Sequence, residues 1–509
     1  MESKGSQEGL QLITIAKNAG LGIFGRLFFL SARFCTALLI ARTIGPEQYG
    51  IFILAMSIFT VAWAFSLMGL EPTTVKFVAQ YKAQKKNALA KDFIAFGLEV
   101  SLISSLVLTL AIFLSAGFAS NIIFHKTSLA PVLRIMVLAL PVSSLMVILL
   151  SALQGVKLLK YKILVQQILM PSFRFISVCA AFLLGFKLIG VAWAWLITAI
   201  FGFSAAFIFY SKRMGFFFRR PLSVDRKKII KFSLPLFLSQ LFYQNINILG
   251  ILIIGAFLPA SQLGIYGVAM RVIPFLLIPM VSYNAIFSPI ISELYTKGRM
   301  EELEHIYKTG TKWVTTLSLP LFSLMLLFSK EIVSIFGQGF TESASIIVIL
   351  LIGQIVNVGT GSTGFMLSMT GKPFYNLFNS GILCALNIIL TLLLISRFGI
   401  VGAAWANSIS IILVQLLQIV EVWYLYKIHP YRLEHLKPLF SCLLAFLIVY
   451  FLQDYIITAN ILRLFILTST FLFSYGIFLA LGGLSQEDRM VFEKLRNKLY
   501  GKIATNPKS

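Results

Sequence analysis

The sequence has little charge and few of the side chains from which catalytic or metal sites are built. Only 12% of its 509 residues are charged, against 58% that are hydrophobic, and it contains four cysteines and four histidines. Such a chain is too apolar for a soluble domain. The cysteines and histidines show no metal-ligand, CxxC or catalytic-triad spacing, and no P-loop is present. The composition therefore predicts a membrane protein that is not an enzyme and needs no cofactor or metal.

Long apolar runs recur along the whole chain. About fourteen of them reach the roughly 20 residues that a helix needs to cross a hydrocarbon core of about 30 Å. Their apolar residues are consecutive, whereas a transmembrane barrel needs alternation, so helices are expected. The sequence predicts an all-α polytopic membrane protein. The predicted spans are 21–41, 49–71, 93–115, 131–153, 164–185, 188–210, 233–257, 263–288, 313–336, 344–369, 377–396, 400–426, 438–456 and 461–483.

The basic residues are sorted between the connections. Most of the 43 lysines and arginines lie in the terminal segments or in every second connection between spans. Because positive charge is retained on the cytoplasmic side, both termini are predicted to be cytoplasmic. This sorting explains most of the net charge of +24, so no nucleic-acid partner is expected. No cleavage site follows the first apolar run, and no signal peptide is expected.

Two phrases of the sequence occur twice. Residues 190–194 (GVAWA) recur as 402–406 (GAAWA), and residues 48–52 (QYGIF) recur as 262–266 (QLGIY). Because these pairs keep a nearly constant spacing, they indicate two homologous bundles of six helices. Six is an even number, so the copies are parallel and related by a pseudo-two-fold axis along the membrane normal. Such an architecture predicts a transporter whose central cavity opens to either side in turn.

The predicted organisation has five parts. They are an N-terminal six-helix bundle (1–210), a basic cytoplasmic linker (211–232), a C-terminal six-helix bundle (233–426), helices thirteen and fourteen (438–483), and a basic amphipathic cytoplasmic tail (484–509). The tail mixes apolar and basic residues as a helix on anionic lipid does, so membrane lipids are expected partners. The repeat makes Gly50 and Gly264 equivalent, and they are expected on opposite sides of the cavity.

The same motifs carry a resemblance to a known family. The stretch LLIARTIGPEQYGIF (38–52), its echo LPASQLGIYGVAMRV (258–272) and the GVAWA/GAAWA pair resemble bacterial polysaccharide (O-antigen, Wzx-type) flippases. These flippases belong to the multidrug/oligosaccharidyl-lipid/polysaccharide exporter superfamily. The resemblance implies a bacterial cytoplasmic (inner) membrane protein that moves undecaprenyl-pyrophosphate-linked oligosaccharide from the cytoplasmic to the periplasmic leaflet. It also implies polysaccharide polymerase machinery as a further partner.

Arginines inside the spans are the strongest candidates for a binding site. A charged side chain near the bilayer centre costs at least about 2.5–3.5 kcal/mol, so it is expected to face a wet cavity or a partner. Arg26 and Arg33 are seven residues apart and share one helix face, about 10 Å apart along the axis. With Arg174 and Arg271 they predict a cationic cavity that binds a pyrophosphate through guanidinium forks. Arg134 is expected only to reach an interface.

Acidic side chains are scarcer in the spans. Glu99 and Glu421 lie toward cytoplasmic ends and are candidates for ion coupling or ion pairing. Relatives of this type often carry an acidic residue in the seventh helix, where this chain has Asn245 and Asn247. Asn247 is therefore a third coupling candidate, although a mechanism that needs a carboxylate there cannot be carried over. An exporter of organic cations would need the opposite balance of charge.

Other interpretations stay open at this stage. A lipid II flippase of peptidoglycan synthesis would also need a cationic cavity, and a small-molecule exporter would share the fold. A membrane-embedded glycosyltransferase or polymerase usually needs carboxylates or a long external loop, and the outer loops here are short. Gly359, Gly361 and Gly364 match G-x-G-x-x-G but lie inside an apolar span, which predicts close helix packing or a local helix break rather than dinucleotide binding.

Overall fold

The protein is helical throughout the part that the structure, a computed structural model, describes. Residues 2–215, 226–456 and 460–483 are described, with side chains from Gly25 onward except at 226–228, 230, 238–240, 242–247 and 460–461. Among these residues there is no β-strand. The predicted tail (484–509) and the middle of the predicted linker (216–225) lie outside the described residues.

Eighteen α-helices are described, joined by short connections. They are α1 (Glu2–Leu67), α2 (Leu70–Ala83), α3 (Asn87–Phe118), α4 (Leu129–Val137), α5 (Ala139–Gly155), α6 (Leu159–Ile163), α7 (Met170–Leu183), α8 (Leu188–Met214), α9 (Arg226–Phe257), α10 (Ala260–Val272), α11 (Ile278–Thr296), α12 (Met300–Leu327), α13 (Ser329–Ser334), α14 (Ser343–Gly359), α15 (Thr363–Met369), α16 (Pro373–Tyr426), α17 (Leu436–Leu452) and α18 (Asn460–Leu481). Two π-helical segments, Ala119–Ile123 and Leu164–Leu169, extend α3 and join α6 to α7.

Many of these helices are long and apolar enough to cross a membrane. Within the described residues there are eight such stretches, or ten if each of two bent pairs is one span. Two of the eight, Gly25–Ala83 with 59 residues and Pro373–Tyr426 with 54, would extend about 80 Å or more if straight, over twice the thickness of a hydrocarbon core. The chain is a multi-pass membrane protein. The number fourteen and the two-bundle arrangement stay predictions.

The first long stretch turns at Gly45. The backbone there has φ 75° and ψ 174°, a conformation that glycine adopts readily and other residues do not. Pro46 follows, and its fixed φ with no N–H suits the first turn of a new helix. The sequence Gly-Pro therefore ends one helix and starts the next, which is why the predicted spans 21–41 and 49–71 are separate. Gly399, with φ 55° and ψ −136°, also interrupts α16, although no proline follows it.

The described chain forms two compact units. Unit 1 comprises 1–272, 330–346 and 380–407, and unit 2 comprises 273–329, 347–379 and 408–509. This grouping by contact does not follow the predicted repeat, because unit 1 takes segments from both predicted halves. The predicted boundaries of the two bundles therefore stay predictions.

Each unit has its own apolar core. In unit 1 the buried side chains of α2, α3 and α5 pack together, with the rings of Phe77 and Phe93 stacked 5.2 Å apart. In unit 2 Phe287 of α11 and Tyr307 of α12 pack with Met366 of α15. These cores fix the helices that carry the polar groups described below.

Candidate functional site

Three of the predicted arginines come together in unit 1. Arg33 lies on α1, Arg174 on α7 and Arg271 near the end of α10. Arg271 exerts the strongest electrostatic effect on Arg33, Arg174 adds to it, and Arg271 also acts on Arg174. The three like charges therefore repel one another across the space that separates the three helices. We call them the arginine cluster.

The cluster has no counter-charge in the described part of the chain. Arg33 is exposed and the other two side chains are half-buried, and none of the three forms an ion pair there. The Nε atom of Arg174 is buried without a hydrogen-bond partner. Uncompensated guanidinium groups in a membrane-spanning region are costly. A multivalent anion placed between them would relieve the repulsion and use their hydrogen-bond donors.

Aromatic side chains hold Arg174 in place. Its guanidinium carbon lies 3.5 Å from the ring centroid of Trp195 on α8, a close cation–π stack. Trp195 in turn contacts Phe52 and Phe59 edge-on, with centroid separations of 6.1 and 6.3 Å. Arg33 lies 5.9 Å from the ring of Phe29. The Trp195 contact fixes the plane of the Arg174 guanidinium without consuming its hydrogen-bond donors.

Tyr49 adds a polar group beside the cluster. It is fully buried, its hydroxyl has no hydrogen-bond partner, and it is electrostatically coupled to Arg33. Our reading of the sequence identified neither Tyr49 nor Trp195 as a site residue. Both lie in the repeated phrases or directly beside them, at 48–52 and 190–194. Their polar and aromatic character, in or beside repeated phrases, was the signal by which the sequence could have identified them.

The remaining cationic candidates lie apart from the cluster. Arg26 is exposed and exerts no described electrostatic effect on Arg33 or Arg174. Arg134 donates from Nε to the carbonyl oxygen of Phe113 at 3.4 Å and lies over its ring. The interfacial position expected for Arg134 stays a prediction.

The acidic and amide candidates do not form one site. Glu99 is exposed, and no ion pair is described for it. Glu421 of unit 2 is half-buried and accepts a hydrogen bond from Asn379 Nδ2 at 2.5 Å. The side chain of Asn247 lies outside the described residues. A coupling role for any of the three stays a prediction.

Two glycines bring α1 and α10 into close contact in unit 1. A Cβ atom added to Gly50 would overlap the carbonyl oxygen of Ala260, and one added to Gly264 would overlap that of Pro46. Each added atom would also meet the backbone nitrogen of the other glycine. The expectation that Gly50 and Gly264 lie on opposite sides of a cavity is therefore wrong. Here the two helices are in direct contact, because two residues without side chains let the backbones meet.

A lysine side chain forms hydrogen bonds between two segments in the same region of unit 1. Lys126, in the connection before α4, donates from Nζ to the carbonyl oxygen of Gly255 at 2.5 Å and to that of Phe124 at 2.8 Å. Gly255 lies in the last turn of α9, where carbonyl groups lack helical partners and favour a positive charge. Burial lowers the pKa of Lys126 below its usual value. The contact joins the α3–α4 connection to the end of α9.

Comparison with known proteins places the chain in a family. The chain is 30% identical over 181 residues to the probable low-salt glycan biosynthesis flippase Agl15 of Haloferax volcanii. The aligned region covers 35% of this chain and 38% of that protein. It is 24% identical over 467 residues to the uncharacterized membrane protein MJ1068 of Methanocaldococcus jannaschii, covering 86% and 90%. The probable flippase AglR of Haloferax volcanii is 27% identical over 172 residues, 36% of its length. These relatives are archaeal.

Solved structures share the fold at low sequence identity. The lipid II flippase MurJ in an inward closed conformation has a TM-score of 0.72 and 16% identity, over 93% of this chain and 98% of that one. An inward-facing multidrug resistance MATE transporter of the MOP superfamily has a TM-score of 0.69 and 16% identity, over 80% and 98%. The model of the polysaccharide biosynthesis protein family matches residues 39–345, more than half of the sequence. The chain therefore belongs to the polysaccharide biosynthesis protein family.

Proposed function

We propose that this protein is a flippase for lipid-linked oligosaccharide. It moves an undecaprenyl-pyrophosphate-linked oligosaccharide from the cytoplasmic to the periplasmic leaflet by alternating access, for polysaccharide or O-antigen export. The protein lies in the bacterial cytoplasmic membrane, with both termini in the cytoplasm. Polysaccharide polymerase machinery receives the transported oligosaccharide. Two of its relatives are named as probable flippases, which supports transport rather than catalysis.

The arginine cluster is the observation that carries the proposal. Three guanidinium groups without a described counter-ion leave a place for a ligand with at least two negative charges. A pyrophosphate offers several oxygens to planar forks and stays with the lipid carrier throughout transport. The sugar then lies in the wet region and the prenyl chain in the lipid. An organic cation would be repelled by the same cluster.

A flipping assay in proteoliposomes tests the proposal. The substrate is prenyl-pyrophosphate-linked oligosaccharide, and rates are normalised to folded protein. Arg33→Ala removes a charge-assisted contact worth about 1.5–3 kcal/mol, so we expect a loss of roughly 10- to 100-fold. Arg33→Lys keeps the charge but loses the fork, so its rate should lie between those of Arg33→Ala and wild type. Arg134→Ala is the matched control and should retain activity.

The double variant Arg33→Ala, Arg271→Ala decides between this function and a small-molecule exporter. If it flips the substrate at the wild-type rate, the cluster does not bind the pyrophosphate and the exporter becomes the better hypothesis. Because removing an intramembrane charge lowers the cost of insertion, the amount of folded protein should hold or rise. A fall in folded protein would instead indicate a structural role.

The lipid II flippase is the second candidate function, because its pyrophosphate substrate would bind the same cluster. Complementation separates the two. The gene is expressed in a bacterium that lacks its O-antigen flippase, and in a strain depleted of its lipid II flippase. We expect rescue of the first strain only. Rescue of the second strain alone would assign the protein to peptidoglycan synthesis.

A further inference from the structure

Unit 2 contains a network of uncharged polar side chains inside membrane-spanning helices. They come from the end of α14, the start of α15 and the second part of α16, and none was among the site residues that we predicted from the sequence. We call this set the amide network. Its members are Gln354, Asn357, Thr360, Thr363, Gln415 and Gln418.

The members form a continuous chain of hydrogen bonds. Asn357 Nδ2 donates to Gln354 Oε1 at 2.9 Å, and Gln415 Nε2 donates to Asn357 Oδ1 at 2.9 Å. Thr360 Oγ1 donates to Gln415 Oε1 at 3.0 Å. The hydroxyl of Thr363 lies 3.3 Å from the same Gln415 oxygen and 2.7 Å from Gln418 Oε1. Every amide oxygen in the network is thus used as an acceptor.

Not all of the amide N–H groups donate a hydrogen bond within the network. Each amide group carries two N–H donors. Among the described contacts, Gln354 Nε2 and Gln418 Nε2 have no hydrogen-bond partner, and neither atom is among the buried unsatisfied ones. Asn357 and Gln415 each donate only one of their two N–H groups. A network that served only to join helices would be expected to consume its donors internally, so the free donors indicate a ligand.

A helix break holds two members of the network in place. Gly361 has φ 70°, and α14 and α15 meet at an angle of 44° across it. The carbonyl oxygen of Thr360, freed by the break, accepts a hydrogen bond from the buried hydroxyl of Tyr307 at 2.9 Å. Ser362 donates to Asn284 Oδ1 of α11. The break is therefore fixed by the surrounding helices, and Thr360 and Thr363 stand on either side of it.

We infer that the amide network binds the sugar hydroxyl groups of the transported glycan, an inference that rests on the proposed function. Sugar hydroxyls are neutral groups that both donate and accept hydrogen bonds, and amides and hydroxyls match them. The network contains no carboxylate that would select a cation and no cation that would select a phosphate. Its hydrogen-bonding groups therefore match the glycan of the substrate rather than its pyrophosphate.

The test compares two substrates that share the carrier. One is prenyl pyrophosphate without a sugar, and the other is the same carrier bearing the oligosaccharide. Gln415→Met keeps the side-chain volume but removes three of the network's hydrogen bonds, so we expect transport of the oligosaccharide substrate to fall about 5- to 30-fold. Transport of the sugar-free substrate should change less than about twofold. Gln453→Met, an amide outside the network at the end of α17, is the control for both substrates.

Thr363→Val tests the same site with a smaller structural change, because it removes one hydroxyl and keeps the shape. It should reduce transport of the oligosaccharide substrate by a smaller factor than Gln415→Met does. As with Gln415→Met, transport of the other substrate should change less. Equal loss of both substrates, or no loss of either in folded Thr363→Val and Gln415→Met proteins, would overturn the inference. Arg33→Ala should reduce both substrates together. A wild-type protein that transports neither substrate would reject the proposed function, and the inference with it.

Discussion

At the scale of single residues, the arginine cluster depends on how Arg174 is oriented. Its Nε is buried without a partner, so its close stack on Trp195 is the described contact that fixes the guanidinium plane. A freely rotating guanidinium would lose more conformational entropy on binding a pyrophosphate. Trp195 therefore acts on the ligand through Arg174, as a positioning residue.

Replacing Trp195 should weaken substrate binding more than turnover. The cation–π contact is worth about 0.5–2 kcal/mol, so Trp195→Leu should raise the apparent KM for lipid-linked oligosaccharide roughly 2- to 30-fold. Trp195→Phe keeps a smaller aromatic face and should fall in between. The measurement is the initial flipping rate as a function of substrate density. Trp193→Leu is the control, because Trp193 lies on the same helix and is 47% exposed. Equal effects of the two leucine variants would count against a positioning role.

The sequence located these residues only in part. An intramembrane charge is visible in any hydropathy pattern, so Arg33, Arg174 and Arg271 were predicted as candidates. Their meeting could not be predicted, because it depends on how α1, α7 and α10 pack. The amide network shows the same limit: Gln415 and Gln418 are obvious polar residues in an apolar span, but their bonds to Asn357 and Thr363 depend on tertiary structure.

At the scale of helices, glycines decide where elements break and where they touch. For the three glycines at 359, 361 and 364 the sequence predicted close helix packing or a local break, and the structure has a break at Gly361. The sequence repeat made Gly50 and Gly264 equivalent, but it could not tell a cavity from a contact. A glycine inside a helix signals close approach without saying which partner approaches. Only the packing of α10 on α1 shows that the equivalent glycines meet each other.

A side chain at Gly50 should force α1 and α10 apart. Gly50→Leu places carbon atoms where the backbone of Ala260 now lies, and overpacking of this kind costs about 1–3 kcal/mol. We expect a lower melting temperature in detergent and at least a tenfold loss of flipping, because α1 and α10 can no longer pack in direct contact. Gly264→Leu should behave alike.

Gly381→Leu is the matched control for that pair. Gly381 lies inside α16, and a Cβ atom added there would meet no atom within 4 Å. Its variant should retain the melting temperature and the transport rate. Wild-type flipping by Gly50→Leu would show that close contact between α1 and α10 is not needed in the transport cycle.

At the scale of the whole molecule, the contacts within unit 1 agree with the sorting of charge along the sequence. Lys126 is bonded to the end of α9, so the α3–α4 and α9–α10 connections lie at one end of the unit. At the other end of the unit, Lys162 pairs with Glu71 at 2.8 Å and Arg213 donates to Tyr161 at 2.8 Å. The helix from Gly45 to Leu67 separates these two ends by about 30 Å, the thickness of a hydrocarbon core.

Reporter fusions should therefore divide into two sets. Fusions after Lys126 and after Phe257 should report the periplasm, since the connections that contain them carry little positive charge. Fusions after Lys157 and Arg213 should report the cytoplasm, because their connections are rich in lysine and arginine and positive charge resists translocation. The measurement is paired alkaline phosphatase and green fluorescent protein activity at each site. Opposite reports from Lys126 and Phe257 would contradict the hydrogen bond that joins their connections. A consistent inversion of all four would preserve the fold of unit 1 but reverse the direction of the proposed transport.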